Sequence, residues 1–401
     1  MRHKSETEVE TTNQHRDSRG DGSTSITLKE RLDQVRNTDW NFADARTQGG
    51  VHRIHPYPAK FIPQIPRQLI RLLHPRDGSA VLDPFCGSGT ALVETLAEGH
   101  PAIGIDLNPI ATLVARVKTL PPARRISPVA CQAVEAAAKL NAPIPAIPRV
   151  NHWFEGPVQE ALAGLVVVLA DVEDDAMREA LHVALSSIIV RVSNQEGDTR
   201  YAAIKKSVSA ELVYGLFKRS AADIDAAYAE QFGGLFGQQR PDVRVITKDV
   251  LMVTAEDIGA EIGLVVTSPP YPNAYEYWLY HKYRMYWLGM DPIAVRNAEI
   301  GARPHYFKKN RKTEADFEHE MGRVFALLSS VMRPTALACF VIGRSIIHGR
   351  TVDNVALIQR AALPHQFRPL LVVERVIPAT RKAFNPAHGT INTESLVVFG
   401  R

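Results

Sequence analysis

Apolar residues recur along this 401-residue chain in two rhythms. Short unbroken runs bounded by Gly, Pro, Asp or Asn predict buried strands, and apolar positions three and four apart predict helices. The first rhythm marks strands at Val81–Asp83, Ala102–Ile105, Val243–Thr247, Ile262–Val266, Ala336–Ile342, Pro369–Val376 and Glu394–Phe399. The second marks helices at Leu28–Val35, Gln64–Leu73, Ala91–Glu98, Asn108–Leu120, Val129–Leu140, Val158–Leu169, Ala176–Val192, Ala221–Gln231, Phe317–Met332 and Val352–Ala362. Seven strands alternating with helices predict an α/β fold with a doubly wound, mostly parallel sheet. A short connection before the last strand allows that strand to run antiparallel.

Punctuation divides the chain further. Residues 1–38 are polar and charged and are expected to form a flexible tail, apart from the short helix at Leu28. Residues 39–106 and 241–401 carry the sheet pattern. Residues 107–240, with the Pro-rich stretch Pro121–Pro148, form a mainly helical insertion too long for an ordinary crossover.

Composition narrows the class. The chain is 45% hydrophobic and 22% charged, ordinary for a soluble globular protein. Its net charge of +4 permits a polyanionic partner without requiring one. The apolar run Ala161–Ala170 is far short of a bilayer span, and the first residues lack an apolar signal core, so neither a membrane partner nor secretion is expected. Cys86, Cys131 and Cys339 have no paired or metal-ligating spacing; a reducing cytoplasm is expected, and no metal site.

Two stretches carry the chemistry. Val81–Thr90 (Val-Leu-Asp-Pro-Phe-Cys-Gly-Ser-Gly-Thr) runs from a strand through a Gly-x-Gly turn into a helix, the layout of a nucleotide-type cofactor loop. The next strand ends in Asp106, where an acid about 20 residues beyond the glycines would hold ribose hydroxyls. Thr267–Tyr271 (Thr-Ser-Pro-Pro-Tyr) follows the strand Ile262–Val266. Its prolines stiffen a loop that offers a hydroxyl, a fixed carbonyl and an aromatic face. That set suits a flat ring bearing an amino group, although a Pro-Pro-Tyr alone is most often a plain turn.

Together these stretches resemble the S-adenosylmethionine-dependent DNA methyltransferases that modify exocyclic amino groups, cytosine N4 or adenine N6. Asp83–Thr90 matches their cofactor loop, Thr267–Tyr271 their catalytic motif, and His55–Pro63 the segment over the methionine end of the cofactor. The resemblance covers roughly residues 45–110 and 240–400. It implies a seven-stranded methyltransferase sheet with the last strand antiparallel, and catalysis by Ser268, Pro269, Pro270 and Tyr271. It implies S-adenosylmethionine held by Lys60, Phe61, Asp83, Phe85, Cys86, Gly87, Ser88, Gly89, Thr90, Asp106 and Asp249. Asp83, Lys60 and Phe61 would take the methionine end, Asp106 the ribose and Asp249 the adenine; Asp249 reads equally well as a helix N-cap. Cys86 is read as a small packing residue beside the cofactor rather than a nucleophile. The implied partner is duplex DNA with a flipped base, accompanied in restriction-modification systems by a cognate endonuclease.

The cofactor loop precedes the catalytic motif here, the reverse of many members, so the target-recognition region is left unassigned. Ser before Pro-Pro-Tyr leans toward cytosine N4, with adenine N6 as the alternative. An RNA base methyltransferase, a protein amide methyltransferase and a non-catalytic DNA-binding scaffold are further alternatives. Two segments are candidates for nucleic-acid contact. One is Arg191, Asn194, Gln195, Arg200 and Tyr201 with Lys205 and Lys206, in the insertion. The other is Arg303, Lys308, Lys309, Arg311 and Lys312, where aromatics interleave the cations. Aromatics from Tyr275 to Trp287 follow helical spacing and are expected mostly in the core, with one or two at the start facing the base pocket.

Overall fold

The structure, a computed structural model, describes residues 26–198, 200–233, 241–273, 276–307, 311–347, 349–377 and 393–401. Its centre is a seven-stranded sheet of β1 (Ala80–Asp83), β2 (Ala102–Asp106), β3 (Val243–Thr247), β4 (Ile262–Thr267), β5 (Met332–Gly343), β6 (Arg368–Val376) and β7 (Thr393–Gly400). Strand order is β6–β7–β5–β4–β1–β2–β3. All pairs among β1 to β5 are parallel; β7 is antiparallel to both of its neighbours. The central strands β1 and β4 are buried along their whole length, as parallel strands covered on both faces must be.

Helices cover both faces. α1 (Leu28–Asn37), opened by a Thr27–Glu30 capping box, and α2 (Gln64–Leu73) lie on one face. There Val35, Trp40, Leu69 and Leu73 pack with Val81, Leu264 and Val341. α3 (Thr90–Ala97) and α4 (Pro109–Thr119) follow β1 and β2. On the opposite face the later helices α11 (Glu314–Val331) and α12 (Asn354–Ala362) bury Phe325, Leu328 and Ile358 against Leu82, Val265, Phe340 and Phe399.

The stretch between β2 and β3 adds α5 (Ser127–Ala137), α6 (Gly156–Ala170), α7 (Asp175–Val192) and α8 (Ala210–Phe232). Their core of Leu162, Leu181, Ile189, Phe217 and Ile224 is continuous with Leu113 and Val117 of α4. α4 therefore serves as the crossover helix of the sheet and as the floor of the helical layer. The Asp225 carboxylate of α8 accepts the Ile126 and Ser127 N–H groups (2.8 and 2.9 Å), capping α5 from outside its own chain segment. α9 (Tyr277–Trp287) and α10 (Pro292–Ala298) complete this side.

Several boundaries differ from the sequence reading. α8 starts at Ala210 rather than Ala221, because Ser209 caps it, accepting the Leu212 N–H at 3.3 Å. Within the stretch expected to be helical, Gln195–Gly197 and Arg200–Ala203 form a small antiparallel hairpin. The helix expected from Val352 starts at Asn354, since Val352 belongs to a hairpin with Ser345–Ile347 and Asp353 supplies the cap. Residues 1–25 of the expected tail lie outside the described residues. Among the described residues no helix is long and apolar enough to cross a membrane.

Candidate active site

Chain order reverses between β1 and β4, so the loops leaving their carboxyl ends diverge and open a crevice, the usual ligand position in a doubly wound sheet. One hydrogen bond ties the two loops together: the Thr267 hydroxyl donates to Asp83 Oδ1 at 2.6 Å. Asp83 also accepts the Phe85 N–H at 3.1 Å. Burial pushes its carboxyl up to about 7, against the lowering effect of those two donors.

The loop after β1 is held by its own backbone. Cys86 N–H donates to Ile105 O (2.9 Å) and Gly89 N–H to Cys86 O (2.8 Å). Gly87 N–H donates to Asp106 Oδ2 at 2.9 Å, linking the turn to the tip of β2. Gly89 has φ +77°, and a Cβ there would lie 2.8 Å from Ala115 Cβ and 2.9 Å from its Cα, so α4 leaves no room for a side chain. Ser88 and Thr90 are buried. Cys86 is buried against Leu92, Ala102 and Ala115, and burial pushes its thiol well up, as suits packing and not a thiolate. Asp106 also accepts the Asn108 N–H at 2.8 Å; burial pushes it up to about 6.

A cavity opens at this crevice. Phe85, Asp106, Asp249, Ser268 and Pro270, from the carboxyl ends of four strands, share its wall. Asp249 has both positions read from sequence: it lines the cavity, and its Oδ1 accepts the Leu251 N–H (3.0 Å) as an N-cap. Lys60 and Phe61 lie elsewhere. Lys60 Nζ donates to His52 O at 2.9 Å, and Phe61 packs with the α1–α2 face.

The opposite wall holds residues the motifs did not name: Tyr57, Tyr277 and Glu299. Tyr57 stacks on His281 (4.9 Å) and Tyr277 (5.9 Å). Glu299 accepts the Tyr277 and Trp278 N–H groups at 2.8 and 3.1 Å, capping α9, and burial pushes it up to about 8. Tyr57 lies inside the His55–Pro63 segment and Tyr277 in the first turn of the aromatic helix. Nothing local in the sequence marks Glu299. Trp278, Tyr283 and Trp287 are core; Tyr275 lies outside the described residues.

Pro269 is buried beside Ser268, and the Tyr271 ring rests directly on Gly343. Its phenol donates to Glu394 Oε1 at 3.4 Å; Glu394 pairs with buried Arg375 at 2.6 Å, and Arg375 Nε donates to Trp40 O at 3.0 Å. Burial and the Glu394 charge hold the Tyr271 phenol well above its ordinary value.

The cationic segments are placed as follows. Arg191 is exposed at the end of α7. Asn194 and Gln195 are buried, and their amides are used within the hairpin. Asn194 donates to His152 O and accepts the Lys206 N–H, and Gln195 donates to Gly197 O. Neither amide is left for a base edge. Lys206 Nζ donates to Val190 O and Gln195 O, while Lys205 is exposed. Arg200 pairs with Glu196. The Tyr201 hydroxyl donates to Tyr283 at 3.2 Å, with Lys282 Nζ above both rings. Arg303 and Arg311 are exposed and Lys312 pairs with Glu320. Lys308 and Lys309 lie outside the described residues.

Comparison with known proteins finds a family model over the part of the chain that holds the glycine loop. A DNA methylase family model, for N6 and N4 methyltransferases, matches residues 2–115. The Type II methyltransferase M.MvaI of Kocuria varians is 27% identical over 256 residues, 58% of this chain and 56% of its own. The Type II methyltransferase M.MjaII of Methanocaldococcus jannaschii is 41% identical over 85 residues, 20% of this chain and 16% of its own. The chain thus spans about half the length of the first relative and about a sixth of the second. Among solved structures, the rRNA methyltransferase aviRa of Streptomyces viridochromogenes has a TM-score of 0.33 at 14% identity, over 90% of this chain and 96% of its own. TrmN of Thermus thermophilus has 0.31 at 12%, over 85% and 49%. Scores of that size carry no weight here; strand order and motifs do. With both motifs on one parallel sheet, the chain is similar to the amino-group DNA methyltransferases, whose methyl donor is S-adenosylmethionine.

Proposed function

We propose that this protein methylates an exocyclic amino group of a DNA base, cytosine N4, by direct transfer onto a base flipped out of the duplex. The observation that carries the reading is the shared wall: Ser268 and Pro270 of the Ser-Pro-Pro-Tyr loop face the same cavity as Asp106 and Asp249. The carboxylates of that cavity suit an adenosine, Asp106 accepting from ribose hydroxyls and Asp249 from the adenine amino group. Asp83 and Lys60 with Phe61 would hold the methionine end.

S-adenosylmethionine supplies a methyl group on a positively charged sulfur. The protein must make the base nitrogen nucleophilic. An aryl amine delocalises its lone pair into the ring. The Ser268 hydroxyl and the Pro269 carbonyl, accepting hydrogen bonds from the amine, draw it toward a tetrahedral geometry in which the lone pair is free. Tyr271, fixed by Gly343 and Glu394, would stack on the ring. Flipping a base costs a few kcal/mol, to be met by contacts with the duplex. In this reading the helical insertion, residues 107–240, and the Arg303–Lys312 segment provide them. A cytoplasmic enzyme paired with a cognate restriction endonuclease is the setting the Type II relatives suggest.

The test is incubation with labelled S-adenosylmethionine and duplex DNA, RNA or protein, followed by digestion to nucleosides. Label in N4-methyldeoxycytidine is expected; label in N6-methyldeoxyadenosine would move the acceptor to adenine, and label in RNA would overturn DNA as substrate. Cofactor binding with no transfer to any polymer would sink the enzymatic reading. Ser268→Ala should abolish transfer and leave cofactor affinity nearly intact.

A further inference from the structure

Lys118 is a charged residue where the helix calls for an apolar one. It falls on the stripe of Ile110 and Val114 along α4, and its side chain is wholly buried. An isolated ammonium is among the costliest groups to bury, and such a residue is ordinarily paired with a carboxylate. Lys118 has no such pair. Its Nζ donates to Ser88 Oγ at 3.1 Å, and among the described residues it makes no ion pair.

A second ammonium is close by. Lys60, mostly buried, donates to His52 O at 2.9 Å and likewise makes no ion pair among the described residues. Burial lowers the basicity of both lysines, Lys118 strongly, and the Lys60 charge lowers Lys118 further. The neighbouring buried carboxylates have other partners. Glu94 takes Arg67 (2.5 Å) and His52 (2.7 Å), and Asp83 takes Thr267 and Phe85. The fold thus holds two cations around Ser88 with no anion of its own between them.

The position of Ser88 says which anion belongs there. It lies between Gly87, whose Cα faces the Tyr57 ring of the cavity wall, and Gly89, the N-cap of α3. Gly89 offers no side-chain cap, so the N–H groups of the first turn of α3 point the same positive end at this spot. Asp83, five residues earlier on the same loop, is the acceptor for an ammonium group. An amino acid zwitterion needs one carboxylate site and one ammonium site a few ångströms apart.

We infer that Lys118, with Lys60 and the Ser88 hydroxyl, binds the α-carboxylate of the amino acid end of the cofactor. The inference rests on S-adenosylmethionine as the cofactor and adds Lys118, on a helix outside all three motifs, as the residue that selects its carboxylate.

The test compares ligands that differ in that end, by calorimetric titration of the full chain. S-adenosylhomocysteine keeps the carboxylate; decarboxylated S-adenosylmethionine and 5′-methylthioadenosine lack it. Lys118→Met should weaken S-adenosylhomocysteine by roughly 10- to 100-fold, the value of a charge-assisted hydrogen bond. It should leave the other two ligands within about twofold. The ligand-free Lys118→Met protein should melt no lower than wild type, because a buried unpaired charge has been removed. Lys60→Met, at a less buried site, should show the same ligand selectivity with a smaller loss, and it serves if Lys118→Met does not fold. Equal weakening of all three ligands with a lowered melting temperature would make Lys118 a support for the loop and overturn the proposal, as would unchanged affinity for S-adenosylhomocysteine in both variants. A wild-type protein that binds none of the ligands overturns the cofactor reading and this inference with it.

Discussion

Replacing Gly343 with Ala tests how closely the acceptor site is set. Gly343 ends β5, and its backbone is in a region open to any residue, so the change acts through space alone. A Cβ there would stand 2.6 Å from Tyr271 Cε2 and 3.1 Å from Cζ, against 3.4 Å for ordinary contact. The ring edge must therefore withdraw by about 0.8 Å, or the strand must move instead. The strand is held on both sides, by β4 and by β7, while the ring is held only at its rim, by hydrogen bonds of the phenol with Glu394 (3.4 Å) and Ser268. The ring gives way. A displacement approaching 1 Å in a positioning group costs about 100-fold in rate, whereas overpacking costs about 1–3 kcal/mol of stability. Initial rates of label transfer from S-adenosylmethionine to unmethylated genomic DNA should fall by about two orders of magnitude. Calorimetric affinity for S-adenosylhomocysteine should stay within about twofold, because Gly343 lies apart from the cofactor loop. A full transfer rate in a normally folded variant would refute the placement of Tyr271 against the acceptor base, and parallel loss of cofactor affinity would show that the ring supports the wrong site.

Gly89→Ala combines a strained φ with a clash against the α4 backbone, so about 2–4 kcal/mol of stability should be lost, read by denaturant titration, with weaker cofactor binding. Glu299→Ala leaves the two N–H groups at the start of α9 without acceptors and should cost about 1–2 kcal/mol. Glu299→Gln keeps one of the two acceptor oxygens and should recover at most about half of that loss in thermal melts. Asp83 has a folded-state value of about 7, above the ordinary carboxylate value of 3.8, so the native protein holds the extra proton between them. Its contribution is full below about pH 4 and is lost as pH rises to about 7. Ligand-free Asp83→Asn should accordingly melt above wild type at pH 8, with the gap closing toward pH 4; a gap that widens in acid would reverse the sign of the reasoning.

The sheet was legible because buried parallel strands are short apolar runs ended by an acid, a glycine or a proline, as at Asp83, Asp106 and Pro269. The two candidate loops, Val81–Thr90 and Thr267–Tyr271, stood out because their residue types lie within a few positions of one another. The far wall of the cavity did not, because Glu299 meets Tyr57 and Tyr277 only through the packing of α9 and α10. The hairpin at Gln195–Ala203 escaped because its strands are three and four residues long and its stability comes from side-chain bonds of Asn194 and Lys206 to backbone, not from alternation. Lys118 did leave a trace, as one charge in an apolar stripe.

The position of β7 has a consequence for how the protein is made. β7 follows every other strand in chain order, yet it lies inside the sheet, and β6 joins the rest only through it. While the chain emerges from the ribosome, β1 to β5 can assemble and the glycine turn can close, but β6 has no strand to pair with until β7 arrives. Glu394 rides on β7 and accepts a hydrogen bond from the Tyr271 phenol. A nascent chain would thus set the glycine turn first and the surroundings of the Tyr271 ring last.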